Sequence, residues 1–277
     1  MRPPALARRR SSTARLGGRR WLAAAAGSAR QAQRRRCRAR QHVNPLALSR
    51  QQPPTVPLWE DVYADPTLPL HVDVGCSFGQ FSEALALSRP DVNVLGLEIR
   101  DICAQGAISS GMHTQPNLHL IKCNAAVGLQ PLLQGQLHPY PGPVEFVYIL
   151  HPDPWFKRAH RKRRLVNPNF VDVLGHVVEP GGKLLLQTDV SDLMVDMQQH
   201  FTAGCKWWSR DSSGDSCCVS KLLGIPSPRE SFVREKGGSI YASMFARTRT
   251  SVPNKLEIAG NDGSSPPSRS IETTRST

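Results

Sequence analysis

The sequence lacks any apolar run near the ~20 residues that a membrane-spanning helix requires. Its longest small-apolar stretch, Trp21 to Ala26, is far shorter, which argues against an integral membrane protein. It also lacks a Cys-x-x-Cys pair. Its seven cysteines are an odd number, adjacent only at Cys217 and Cys218. That usage suits neither a disulfide framework nor a zinc site and points to a reducing compartment. The third shortage is of acid. Residues 1–59 hold 14 Arg, no Lys and no carboxylate, whereas residues 60–277 hold 21 basic and 22 acidic residues. The net charge of +13 therefore sits in the leading segment, and the body is close to neutral. Overall charge cannot name a partner, so a nucleic-acid argument has to rest on local clusters.

What is present fits one sizeable domain with appendages. The 39% apolar content is enough for a core and excludes wholesale disorder. The Arg-, Ala- and Ser-rich leading segment has the composition of an organelle transit peptide, with a disordered RNA-clinging arm as the plainer alternative. A secretory signal is disfavoured, because no apolar core of about 7–15 residues follows the charges. Composition thus divides the chain into an arm over residues 1–55, a folded body over 56–250 and a Ser/Thr/Pro/Gly-rich disordered tail over 251–277.

Within the body, runs dense in Val, Ile and Leu predict strands at Leu70–Val74, Val94–Ile99, Leu118–Cys123, Val144–Leu150 and Leu184–Gln187, with one more at Tyr241–Arg247. Between them, helical spacing aligns Phe81, Ala84, Leu85 and Ser88, then Phe170, Val173, Leu174 and Val177, then Leu193, Met194, Met197 and Phe201. Alternating strands and helices predict an α/β fold, a doubly wound, mostly parallel sheet with right-handed crossovers. Ligands of such sheets bind beyond the carboxyl ends of the strands. Five chain positions then become candidates: Asp73 to Gly79, Glu98 to Arg100, Asn124 and Ala125, Leu150 to Trp155, and Thr188 and Asp189.

Gly75 and Gly79 permit a tight turn and a close backbone approach, and helix–strand packing alone is a competing reason for them. Glu98, at the tip of the second strand, is placed to take both hydroxyls of a ribose. The dinucleotide fingerprint G-x-G-x-x-G is broken at Ser77, and a carboxylate at Asp73 would repel a pyrophosphate. A ligand with a cationic end tolerates Asp73 better. S-adenosylmethionine fits this pattern, with its ribose on Glu98, its adenine near Asn124 and Ala125, and its charged methionine end near Asp73 and Gly75.

In the stretch HPDPWFKRAHRKRRLVNPNF, Pro152 and Pro154 bracket Asp153 and stiffen its loop. Trp155 offers a flat face for stacking a base. Lys157, Arg158, Arg161, Lys162, Arg163 and Arg164 then put six fixed positive charges within eight residues. In a nearly neutral body this is a phosphate-binding patch, against the blander reading of a solvated helix start.

These residues resemble the tRNA (guanine-N7-)-methyltransferase family, whose signature is a Pro-Asp-Pro-Trp loop followed by Lys, His and a Lys-Arg-Arg run. Asp73-Val74-Gly75, Gly96-Leu97-Glu98-Ile99, Asn124-Ala125 and Thr188-Asp189 match its further motifs, and Ser227-Pro228-Arg229-Glu230 matches its Thr-x-x-Glu element. The resemblance spans roughly residues 68–248. It implies a Rossmann-like seven-stranded sheet and transfer of methyl from S-adenosylmethionine to guanine N7 in the tRNA variable loop, with no metal. It assigns the cofactor to Asp73, Gly75, Glu98, Ile99, Arg100, Asn124, Ala125 and Leu150, and the catalytic carboxylate to Asp153. Lys157, Asp189, Ser227, Arg229 and Glu230 are assigned to substrate, and Arg158, Arg161, Lys162, Arg163 and Arg164 to the RNA backbone.

Guanine N7 carries a free lone pair, so alignment matters more than a strong base. Asp153 would stabilise the positive charge that alkylation leaves, or hold the guanine N1–H and amino edge. Extrusion of the base into the pocket is consistent with this chemistry. Ser227 departs from the family by replacing Thr, Asn124 stands where many relatives carry Asp, and residues 205–220 match no family element. The competing readings are a non-catalytic RNA-binding protein, a methyltransferase of another RNA and a Rossmann oxidoreductase; intact Asp73, Glu98, Asp153 and Asp189 disfavour the first. The leading segment implies a chloroplast form, with the mitochondrion as alternative. The family's eukaryotic cytosolic members work with a WD-repeat protein, so a cytosolic or nuclear form would need one and an organellar form would act alone.

Overall fold

The computed structural model describes residues 42–248 apart from 102, 106–114, 203–204 and 213–216. The arm expected over 1–55 therefore lies outside the described residues as far as residue 41, as does the expected tail. Residues 42–55, however, pack on the body, with a short 3-10 helix at Leu48–Arg50, so the boundary drawn at residue 55 is too late.

Seven strands form one sheet in the order β3-β2-β1-β4-β5-β7-β6. They are β1 Leu70–Val74, β2 Asn93–Glu98, β3 Leu118–Lys122, β4 Val144–Leu150, β5 Lys183–Thr188, β6 Trp208–Arg210 and β7 Tyr241–Arg247. Pairing is parallel from β3 through β5, whereas β7 runs antiparallel to both β5 and β6. All six strands expected from the sequence are present, with ends shifted by at most a residue. The strand not foreseen, β6, falls inside residues 205–220. That stretch also supplies the short helix Val219–Leu223 and two buried tryptophans, Trp207 and Trp208, so much of it is sheet and core.

Every residue of β1 and β2 is buried, the polar His71, Asp73, Asn93 and Glu98 included, so both strands are covered on both faces. Alternation then separates two cores. Val147 and Ile149 of β4 point to one, with Leu184 and Leu186 of β5, and Tyr148 and Leu185 point to the other. The larger core is closed by helices α3 (Ala125–Gln134), α4 (Pro168–Val177) and α5 (Ser191–Thr202), through Leu129, Leu132, Phe170, Leu174, Met197 and Phe201. The smaller is closed by α2 (Gln80–Ser88), through Phe81 and Leu85. The expected α2 face is rotated: Ser88 is exposed and Ser82 and Ala86 are buried. The Ser82 hydroxyl donates to Asp73 Oδ2 at 2.6 Å, so a buried carboxylate turned the helix toward a hydroxyl that apolar spacing could not reveal.

Helix α4 starts at an Asn167 cap that accepts from the Phe170 N–H at 3.2 Å, with Pro168 in its first turn. On its buried side Gly175 lies against the Trp207 indole, where a Cβ would collide with the ring. Gly175→Ala is expected to cost about 1–3 kcal/mol through overpacking, read as a lowered melting temperature. An unchanged melting temperature would show that Trp207 can retreat.

Candidate methyl-transfer site

The sheet's winding reverses between β1 and β4, and the loops leaving them open a cavity of about 550 Å³ at the carboxyl ends of the strands. Gly75, Glu98, Ile99, Arg100, Asn124, Ala125, Leu150 and Asp153 all line it. The two loop glycines have different reasons. Gly75 has φ +84° with open space where a Cβ would stand, as a ligand approach requires, whereas Gly79, at φ +73°, is pressed against Leu120.

Glu98 is 2% exposed. One oxygen accepts from the Ser77 N–H at 2.9 Å and the other from the Arg100 N–H at 2.8 Å, tying the β1 loop to the end of β2. The Arg100 guanidinium grips both oxygens at 3.0 Å. Burial works against the Arg100 charge, but Glu98 outweighs it and holds the guanidinium protonated more firmly than usual. Each Glu98 oxygen accepts from one backbone N–H and from the guanidinium, so a ribose diol would take the acceptor positions that Arg100 now fills. Asn124 uses its amide N–H groups on the Pro45 and Arg50 carbonyls, at 3.1 and 3.0 Å, so its carbonyl oxygen is left to accept from an adenine amine. The donor set thus fits S-adenosylmethionine.

Asp73 differs from expectation. It is 2% exposed and lies beneath the glycine loop rather than in the cavity lining. Burial pushes its carboxyl up to about 7, against the lowering effect of the Ser82 hydrogen bond and with a further push from Glu98.

Asp153 sits on a loop held from both ends. Flanking residues His151 and Trp155 are left-handed, with φ +54° and +43°, outside the two prolines. Arg164 Nε donates to the Pro154 carbonyl at 2.8 Å while its Nη1 pairs with Asp196 at 2.8 Å. Arg164 is therefore a brace for this loop, not the phosphate contact expected of it. Arg163 also turns inward, over the Trp155 ring at 5.1 Å. The faces of Trp155 are further approached by His42 and His160, so the open stacking surface expected there is taken up by protein. Lys157, Arg158, Arg161 and Lys162 remain exposed at the cavity mouth on a 3-10 helix, Arg158–Arg163, and its preceding residue. Phe156 beside them is 72% exposed.

Residues 42–51 form a strap that sequence composition concealed. Val43, Pro45, Leu46 and Gln51 line the cavity, the Arg50 guanidinium donates to the Ile99 carbonyl and pairs with Asp101, and His42 Nδ1 lies 2.7 Å from Asp153 Oδ1. The available signal was that the Arg runs stop at Arg40, leaving Arg50 alone between residues 42 and 59.

The expected substrate residues divide. Asp189 and Arg229 pair at the rim, outside the cavity lining, with Arg229 Nη2 donating to Asp189 Oδ2 at 2.5 Å. Ser227 and Glu230 are buried, 4% and 0% exposed. Ser227 is the N-cap of α7 (Pro228–Glu235), its hydroxyl accepting from the Glu230 N–H at 3.1 Å. Glu230 accepts from Ser220, Gln187 and Arg234. These two hold α7 in place and leave Pro228 and Arg229 exposed.

The family model described as "Putative methyltransferase" matches residues 67–242. A tRNA (guanine-N(7)-)-methyltransferase of Synechococcus elongatus is 37% identical over 217 residues, covering 76% of this chain and 97% of its own. That of Thermosynechococcus vestitus is 39% identical over 215 residues, covering 76% and 95%. The chain belongs to the tRNA (guanine-N(7)-)-methyltransferase family. Among solved structures, the 16S rRNA methyltransferase KamB is similar at a TM-score of 0.44 and 14% identity, over 68% of this chain and 92% of that one. Among the described residues of this family member, no group of three or more His, Cys, Asp or Glu side chains could hold a metal ion, and no helix is long and apolar enough to cross a membrane.

Asp73 gives this site a pH signature. A carboxyl raised to about 7 in the fold holds a proton that the unfolded chain has lost, so its stabilising contribution is full below the ordinary carboxylate range and disappears as pH rises through 7. The loss is on the order of 4 kcal/mol. Asp73→Asn, which keeps an acceptor for Ser82, should lack this decline, so its melting temperature should overtake that of wild type increasingly between pH 5 and 8. Parallel curves would show that Asp73 is ionised throughout.

Proposed function

We propose that this protein transfers a methyl group from S-adenosylmethionine to N7 of a guanosine in the tRNA variable loop, forming 7-methylguanosine. The observation that carries this reading is a single cavity joining the Gly75, Glu98 and Asn124 corner to Asp153, with a basic helix exposed at its mouth. The bound cofactor supplies an electrophilic methyl on a sulfonium. Glu98 and the Asn124 carbonyl fix its ribose and adenine, while Gly75 lets the backbone approach its methionine end. The strap of residues 42–51 covers the adenine side, where Asn124 holds the Pro45 and Arg50 carbonyls. Lys157, Arg158, Arg161 and Lys162 hold the tRNA backbone, and Asp189 and Arg229 form the rim that the guanosine passes.

Guanine N7 attacks with its own lone pair, so no residue has to remove a proton first. Attack requires alignment, and the cavity supplies it. As the purine gains positive charge, the Asp153 carboxylate, held by its braced loop, stabilises it. His42, paired with Asp153, has to yield that carboxylate to the base.

The proposal extends to place and partner. The acid-free leading segment supports organelle import, and the cyanobacterial relatives favour the chloroplast over the mitochondrion. The same segment supports a form acting without a WD-repeat partner. A fusion of residues 1–55 to a fluorescent protein should enter chloroplasts; retention in the cytosol or entry into mitochondria would refute that assignment.

For the reaction, the full chain and its Asp153→Ala variant should be incubated with unmodified tRNA and methyl-labelled S-adenosylmethionine, and the tRNA digested to nucleosides. Label should appear in 7-methylguanosine, and the variant should be slower by roughly 10²-fold or more, as when an electrostatic stabiliser is removed. Label in another nucleoside would overturn the substrate, and activity appearing only with an added WD-repeat protein would overturn the solitary form.

A further inference from the structure

His151 reaches both the cavity and the rim. It lines the cavity two residues before Asp153, and its imidazole, 7% exposed, turns toward the end of β5. Nδ1 lies 3.0 Å from Asp189 Oδ1 and Nε2 lies 3.2 Å from Gln187 Nε2. The rest of the Gln187 amide is also committed. Its oxygen accepts from the Val219 N–H at 2.7 Å, and its nitrogen donates to Glu230 Oε2 at 3.2 Å.

An amide nitrogen has two protons and no lone pair to offer. With its oxygen spent on Val219, the Gln187 nitrogen gives one proton to Glu230 and the other to His151. Nε2 of His151 must therefore be the acceptor, and its proton must sit on Nδ1, donated to Asp189. The network closes only with a neutral imidazole of this one tautomer. A second proton would set two donors against each other across a buried contact. The charged groups facing the ring are Asp189 just after β5 and Arg229 and Glu230 on α7, with Asp153 in its own loop. Asp189 and Glu230 favour the imidazolium and Arg229 opposes it, but burial outweighs them and lowers the imidazole below its ordinary 6.5.

We propose that His151 is a positioning residue of the methyl transfer, a neutral Nδ1–H imidazole that locks the Asp153 loop to the Asp189–Arg229 rim, so that the carboxylate facing the cofactor and the rim facing the tRNA keep a fixed spacing. The inference rests on the function proposed above. It also accounts for the backbone: φ of +54° suits His far better than a bulky apolar residue, and the residue so turned both borders the cavity and reaches the end of β5.

The test uses the full chain with two variants. His151→Phe keeps a ring without either hydrogen bond, and His151→Asn keeps a residue at home in the left-handed region while removing the ring that spans Asp189 and Gln187. In wild type, kcat/KM for tRNA should fall as pH drops through a midpoint below 6.5. In both variants that acid limb should vanish, kcat/KM for tRNA at pH 8 should be about tenfold lower, and KM for S-adenosylmethionine should be unchanged. Histidine-labelled ¹⁵N spectra, with the His151 signal identified by its loss in His151→Asn, should show the neutral Nδ1–H tautomer at pH 7.

An Nε2–H tautomer or an imidazolium at pH 7 would overturn the proposal. So would an acid limb that persists in both variants, or a raised KM for S-adenosylmethionine with tRNA kinetics intact. If the wild-type chain methylates no tRNA, the proposed function fails instead, and the spectra still decide whether the His151 arrangement is correct.

Discussion

The arrangement of this protein depends on the parallel pairing of β1 with β4. Because the strands on either side are reached by crossovers on opposite faces, the loops that leave β1 and β4 part at their carboxyl ends and cannot close over the gap. Buried strands fix where the gap lies. Everything with chemistry in the molecule is brought to that gap by the end of a strand: Gly75 from β1, Glu98 from β2, Asn124 from β3, Asp153 from β4 and Asp189 from β5.

The polar residues there form two systems with different tasks. Around Glu98 the hydrogen bonds come from backbone N–H groups and one guanidinium, a rigid frame for a small ligand. Around Asp189 and Glu230 they pass from side chain to side chain, through His151, Gln187, Ser220 and Arg234. A buried network of this kind is stable only when every member is satisfied, so it transmits position well and tolerates substitution poorly. The basic run divides along the same line. Arg163 and Arg164 turn inward to support the Asp153 loop, while Arg158, Arg161 and Lys162 stay in water.

Strand positions were legible because strands covered by neighbours are dense in Val, Leu and Ile, even where His71 and Asp73 interrupt β1, and the ligand-bearing corners followed from them. The Asp153 segment was legible because its prolines and charges are consecutive. What escaped did so for identifiable reasons. Ser82 is buried because it meets Asp73, a contact that spacing of apolar residues does not encode. Strand β6 is three residues long and buries Trp208 alone, too little to show a strand period. Ser227 and Glu230 have the spacing of a substrate motif and also that of a capping box, and sequence alone does not say which one a helix uses. The strap was hidden by its neighbours, since a composition window averaged residues 42–51 with the Arg-rich segment before them.

The placement of β7 has a consequence for how the chain becomes a protein. The last strand in sequence is not an edge: it inserts between β5 and β6, and β6 touches the sheet through β7 alone. Synthesis from the N-terminus can therefore assemble β1 to β5 early, but it leaves the β5 edge open and β6 without a place until residues 241–247 arrive. Such non-local pairing is slow and leaves an unpaired strand edge exposed to aggregation in the interval. Completion of the sheet is thus a checkpoint at the very end of translation, and a ribosome that stops short of Tyr241 releases a chain with every residue of the cofactor corner and no finished sheet to hold them.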